Sequence, residues 1–234
     1  MPDSQHLRPL NLRQLLVFLT IGFVSLLFWH TPFLYPIKIF VVFIHEAGHA
    51  FTTVLTGGQV ISMVVTPWQS GYVQHVGGNP LFIAAAGYIG SALFGGLLLL
   101  LSTRDEWASV IFFGLAVFFG LVTLVFVRNG FGLVFGCGTA LSFALLSRRP
   151  FPGTHYIVDI LAVTSSLYAV YDLTDFLFIG MRTDAVILAE LTAVPAFIWA
   201  GLWSVLSLAI VWGAGKRAVR HTPRTADEET REFE

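Results

Sequence analysis

The sequence predicts an all-α polytopic membrane protein, with about six to seven transmembrane helices and one small membrane-associated β-hairpin. Three observations predict it. Of the 234 residues, 56% are hydrophobic and only 12% are charged, about half the charged fraction of an ordinary soluble domain. Apolar runs of membrane-spanning length recur along the chain. Between two of them lies one stretch, residues 59–79, with no Asp, Glu, Lys or Arg, and it alternates and turns like a hairpin. A net charge of −1 leaves no nucleic-acid footprint. The single cysteine, Cys137, sits in an apolar run and reads as a small core residue. It allows no internal disulfide and no cysteine-based metal site.

The runs follow in order. Residues 1–14 form a polar N-terminal segment with Arg8 and Arg13 ahead of the first run, residues 15–29. That run ends in Phe28-Trp29-His30-Thr31-Pro32 without a small-residue cleavage site, so it reads as a retained signal anchor with a cytoplasmic N-terminus. A short link then makes runs one and two an antiparallel pair. The second run covers residues 36–55, with Lys38 able to snorkel to an interface. Gly57-Gly58 ends it. Residues 60–65 and 72–76 read as strands, joined by the turn Thr66-Pro67-Trp68-Gln69-Ser70-Gly71. Run three, residues 81–101, carries the small-xxx-small pairs Ser91/Gly95 and Ala92/Gly96, which favour close helix packing. Run four covers 107–127, and run five ends at Arg148-Arg149-Pro150. Run six, 156–180, holds Asp159, Asp172 and Asp175. Run seven, 186–212, includes Glu190 and Pro195. The integral-membrane domain therefore covers 15–213, and the charged residues 214–234 read as a disordered tail. Seven spans would put the two termini on opposite sides, whereas Lys216, Arg217 and Arg220 favour the cytoplasm. Either one run is not a full span or the charge rule is overridden.

The chemistry is in run two, at Ile44-His45-Glu46-Ala47-Gly48-His49-Ala50. On a helix, residues four apart share a face, so His45 and His49 lie about one turn (~6 Å) apart and can reach one metal ion. Glu46 projects beside them. H-E-x-x-H on a helix is the zinc metallopeptidase arrangement, with the glutamate as general base. A carboxylate inside a membrane segment costs roughly 2.5 kcal/mol or more unless it is compensated, and Zn²⁺ would compensate it. A catalytic zinc site needs a third protein ligand. The extended form H-E-x-x-H-x-x-G-x-x-H is excluded, because Thr52 and Leu55 stand at its two downstream places. No acid occurs between Ala50 and Arg104. The later acids rank Asp172 first, Asp175 second and Asp184 third, with Asp159 further off and His75 and His155 at interfaces. An aspartate that is not the ligand could steady one that is.

In this combination the chain resembles the site-2 proteases, the intramembrane zinc metallopeptidases, and within them the compact bacterial and plant branch without a PDZ domain. The resemblance spans about residues 36–212. It rests on H-E-x-G-H-A, the glycine-flanked hairpin, Ala86-Gly87-Tyr88-Ile89-Gly90-Ser91, and the pairs Tyr171-Asp172 and Asp184-Ala185. The chain departs from the family's usual Leu-Asp-Gly third-ligand motif, having no Asp-Gly pair. The resemblance implies hydrolysis of membrane-protein substrates in the bilayer by a Zn²⁺-activated water, with Glu46 as base. Regulation would lie with membrane partners. Asn79 and His75 are weak candidates for a second oxyanion donor. The hairpin edge, with Val64 and Val73 as test positions, would hold substrate as an added strand. The rival reading is a non-proteolytic metal-binding or transport protein on the same scaffold. It gives Glu46 no task.

Overall fold

The structure is a computed structural model that describes residues 12–102, 107–151, 153–172 and 183–221. Its elements are α1 (Leu12–Phe28), a 3₁₀ turn (Pro32–Leu34), α2 (Tyr35–Leu55), β1 (Gln59–Val65), β2 (Gly71–Val76), α3 (Pro80–Leu101), α4 (Ala108–Phe126), α5 (Gly130–Arg148), α6 (Thr154–Ser166), α7 (Asp184–Thr192) and α8 (Ala196–His221). Five helices among the described residues are long and apolar enough to cross a membrane: α2 with the preceding turn, α3, α4, α5 and α8. At 17 residues, α1 is shorter, and α6 has 13.

The helix α2 is central. Ile39 to Ala47 are all buried, so this helix meets protein on every side. One face carries Phe40 and Phe43, which stack on Phe119 of α4 at 5.1 and 4.4 Å between ring centroids. The phenylalanine richness, which reads from sequence as lipid-facing bulk, thus includes part of the core. Another face meets α3 in antiparallel fashion, with His45 beside Tyr88 and His49 beside Ile83.

Small residues set the helix spacing, as the small-xxx-small pairs require. A Cβ on Gly95 would collide with Ser166 Oγ and the Ala162 carbonyl of α6. A Cβ on Gly96 would fall 2.7 Å from Ile210 of α8. Packed this closely, α6 runs antiparallel to α3 and α8 runs parallel to it.

Three sequence expectations change. First, α1 follows α6 in the same direction: Gln14 bonds Asp159, Gly22 faces Val163 and Leu167, and Trp29 stacks on Tyr171. Since α6 and α2 both oppose α3, α1 and α2 share a sense and are not an antiparallel pair. Leu15 and Lys216 line one groove, so both ends of the described chain lie at the same end of the bundle, and α1 is the odd run. Second, run seven is two helices. Pro195 cannot donate a backbone hydrogen bond, and Ala193 turns left-handed at φ 58°, so α7 stops before α8 begins. Third, α8 continues to His221, so Lys216, Arg217 and Arg220 belong to a helix and not to the start of a tail.

The hairpin forms where it is expected. The register pairs Met63 with Val73, Val64 with Tyr72 and Val65 with Gly71, with a bulge between Val60 and Ser62. Its turn is tied by Thr66 N–H to the Ser70 carbonyl at 2.8 Å, and the Tyr35 hydroxyl donates to the Pro67 carbonyl at 2.9 Å. That last bond brings the hairpin tip to the start of α2, so the strands lie back along the helix that precedes them. The outer edge of β1 is closed. The Met63 carbonyl accepts from Arg128 N–H at 3.1 Å, and the Asn129 side chain donates to the Val65 carbonyl at 2.7 Å and accepts from Val65 N–H at 3.2 Å.

The packing makes a testable distinction between glycines. Gly95→Ala should lower stability by about 1–3 kcal/mol through overpacking. Gly114→Ala, where a Cβ meets nothing within 4 Å, should be neutral or slightly stabilising. Thermal unfolding in detergent reads the difference, and equal midpoints for the two variants would remove Gly95 from the α3–α6 contact.

Candidate metal centre

The motif helix presents His45 and His49 into the space between α2, α3 and α7, and Glu46 toward β2. All three are buried. Gly48, inside the motif, lets α3 approach: a Cβ there would fall 2.6 Å from the Ala86 carbonyl oxygen. The close approach brings the Ile83 carbonyl within 2.6 Å of His49 Nδ1. A carbonyl only accepts, so Nδ1 carries the proton and Nε2 presents a lone pair to the site. This is the arrangement that fixes a metal-binding tautomer. His45 is packed edge-on by Tyr88 and Tyr168, at 4.7 and 5.1 Å between centroids.

Three ligand atoms converge. His45 Nε2 and His49 Nε2 lie 3.0 Å apart, and Asp184 Oδ2 lies 3.0 Å from the first and 3.1 Å from the second. Asp184 opens α7 after the extended residue Thr183, so a short helix aims its first side chain at the motif. Among the described residues, these are the His, Cys, Asp and Glu side chains that come together closely enough to hold one ion. The donor set fits a metal. Two imidazoles and a carboxylate are zinc ligands by type and number. Brought so close in a buried space, their lone pairs repel one another unless a cation or shared protons lie between them.

Glu46 stands outside the trio. Its Oε2 is buried and makes no hydrogen bond, and the first residue of β2 covers it. A Cβ on Gly71 would fall 2.6 Å from Glu46 Cγ and 2.8 Å from its Oε1, so the hairpin can lie on the carboxylate only because residue 71 has no side chain.

The remaining sequence candidates are placed elsewhere. Asp172, ranked first as third ligand, accepts a hydrogen bond from the Tyr88 hydroxyl and is outside the converging group. Among the described residues it is Asp184, the first residue of α7, that the structure brings to the imidazoles. Asp175 lies outside the described residues. Asp159 bonds Gln14 at 3.3 Å and ties α1 to α6. Asn79 caps α3, its Oδ1 accepting from Leu81 and Phe82 N–H at 3.1 and 3.3 Å, so that oxygen is engaged in the helix start. His75 bonds the Gly77 carbonyl at 3.1 Å through Nδ1.

Of the two hairpin positions, Val64 proves to be an inward one. Met63 and Val65 direct their backbone groups away from β2, so by alternation Val64 directs its own toward Tyr72. Gly71, Val73 and His75 face the other way, onto the outer edge of β2. No local signal in the sequence marks Gly71 over Glu46 or the Ile83 carbonyl. Asp184 stands third among the aspartates ranked from the sequence as the third ligand, and in the pair Asp184-Ala185.

The family model described as Peptidase M50B-like matches residues 18–214. No curated protein and no solved structure matches the chain. With five helices of spanning length, the motif helix among them, and a family match over most of its length, the chain is an integral membrane protein of the Peptidase M50B-like family, the site-2 protease family of metallopeptidases.

Proposed function

We propose that this protein is a zinc endopeptidase that hydrolyses peptide bonds of membrane-protein substrates within the bilayer. One observation carries the reading: two imidazole Nε2 atoms and the Asp184 carboxylate meet at 3.0–3.1 Å, beside Glu46, whose buried Oε2 has no hydrogen-bond partner among the described residues. His45, His49 and Asp184 would hold the ion. Bound there, Zn²⁺ would supply Lewis acidity toward water and the scissile carbonyl. Glu46 takes the proton of the attacking water and passes it to the leaving amine. Ile83 fixes the His49 tautomer, and the Tyr88 and Tyr168 rings hold the His45 plane. Glu46 also separates this reading from metal storage or transport. A carboxylate buried next to a three-ligand site without joining it is a cost to a storage site and a requirement for hydrolysis.

The substrate segment must be extended at the site, since a helix locks the scissile carbonyl in its own hydrogen bond. Its freed backbone groups then need partners in an apolar medium. With the β1 edge closed by Arg128 and Asn129, the edge of β2 at Gly71, Val73 and His75 offers them, starting directly over Glu46. An added strand there would be read largely through its backbone.

Two outcomes follow. Glu46→Gln preserves the three ligands, so zinc content should hold while cleavage of a reconstituted membrane substrate falls by about 10²–10⁴-fold. Undiminished cleavage by the purified variant would exclude Glu46 as base. Val73→Pro removes an outward N–H that the hairpin does not use. It should leave zinc and thermal stability unchanged and lower cleavage, whereas Pro at Val64 or Tyr72 breaks the hairpin ladder itself. Full activity in Val73→Pro would leave the β2 edge without a role in substrate binding.

A further inference from the structure

Three glycines lie where α2 crosses α3, and they do different things. Gly48 would press a Cβ against the Ala86 backbone, and Gly90 would bring one to 3.4 Å from Gly48 Cα. Gly48 therefore sets the distance between the helices, whereas the crossing already has room for a Cβ at Gly90. Gly87 faces the ligand atoms. A Cβ there would fall 2.6 Å from His49 Nε2 and closer still to Nε2 and Cε1 of His45. Those two nitrogens are 3.0 Å apart and are the same atoms that lie 3.0 and 3.1 Å from Asp184 Oδ2. A methyl group at Gly87 would therefore stand beside both lone pairs, at little more than the length of a Zn–N bond (about 2.0–2.1 Å). It would take up space that an ion shared by the two imidazoles needs.

We infer that Gly87 is a positioning residue for the metal: the missing side chain on α3 keeps open the place where His45, His49 and Asp184 converge. The inference rests on the metal site proposed above and goes beyond it, because it assigns a requirement of that site to a helix that supplies no ligand. The flexible end of a long side chain could bend away. A Cβ on a helix backbone cannot, so the imidazoles themselves must move. Alanine, the best helix former, thus becomes a disruptive substitution at this position for reasons unrelated to helix propensity.

The test compares wild type, Gly87→Ala and Gly90→Ala, purified in detergent, for zinc content and for zinc affinity against a competing chelator. Wild type and Gly90→Ala should each bind zinc. Gly87→Ala should bind at least about a hundredfold more weakly, at or beyond the upper end of the loss seen when a supporting contact of a metal ligand is removed. Wild-type affinity in Gly87→Ala overturns the inference, whereas absence of zinc from the wild type overturns the metal-site reading beneath it. A second measurement covers simple misfolding. Thermal unfolding of the metal-free proteins is recorded for Gly87→Ala alone and in a His45→Ala/His49→Ala background, where the missing imidazoles make room for the methyl. The loss in midpoint should be large in the first background and much smaller in the second. Equal losses in both would mean that the methyl acts through helix packing, and would overturn the inference.

Discussion

The fold turns on one electrostatic constraint: lone pairs held together in an apolar interior. His45 Nε2, His49 Nε2 and Asp184 Oδ2 lie within 3.1 Å of one another, with a second carboxylate, Glu46, buried alongside. Burying such groups without compensation is costly. Holding them in register takes rigid neighbours on several sides. The Phe40 and Phe43 stack on Phe119 fixes one face of the motif helix. The glycine crossing with α3 fixes the other. The Tyr88 ring, stacked on Trp203 at 4.6 Å, closes the side toward α8.

The same constraint explains the hairpin. An irregular segment at the depth of the motif must lie on protein. This one lies along α2, is bonded at its tip to Tyr35 and is sealed at its β1 edge by Arg128 and Asn129. Among the described residues, no strand pairs with the edge of β2 that begins over Glu46. The arrangement places one strand edge next to one carboxylate, and both depend on Gly71 having no side chain.

Much of this was legible in the sequence where a local rule decides. H-E-x-x-H specifies its own geometry through the helical repeat. Gly57-Gly58 and the uncharged 59–79 stretch marked the hairpin to within a residue at each strand. The small-xxx-small pairs of run three marked the contacts with α6 and α8. What was not legible depends on where distant segments return. Asp172 ranked above Asp184 because a continuous sixth helix would carry it to the depth of His45. The chain instead turns at Leu167, is helical again over residues 168–172 with Asp172 against the Tyr88 hydroxyl, and Asp184 reaches the imidazoles from the start of a short separate helix. The direction of α1 was misread for a related reason: a short link implies an antiparallel neighbour, but α1 packs on α6, whose position no local signal gives. Pro195 stands in run seven, but a proline alone does not say whether a helix bends or ends there.

The most direct test of this arrangement is the zinc content of purified protein in which each aspartate is removed separately. Asp184→Ala deletes an atom 3.0 Å from His45 Nε2 and 3.1 Å from His49 Nε2. It should lose the metal under conditions where the wild type retains it. Asp172→Ala removes an acceptor of the Tyr88 hydroxyl but no atom of the converging trio, and it should keep most of its zinc. The reverse pattern, with metal lost from Asp172→Ala and retained in Asp184→Ala, would contradict the three-ligand centre.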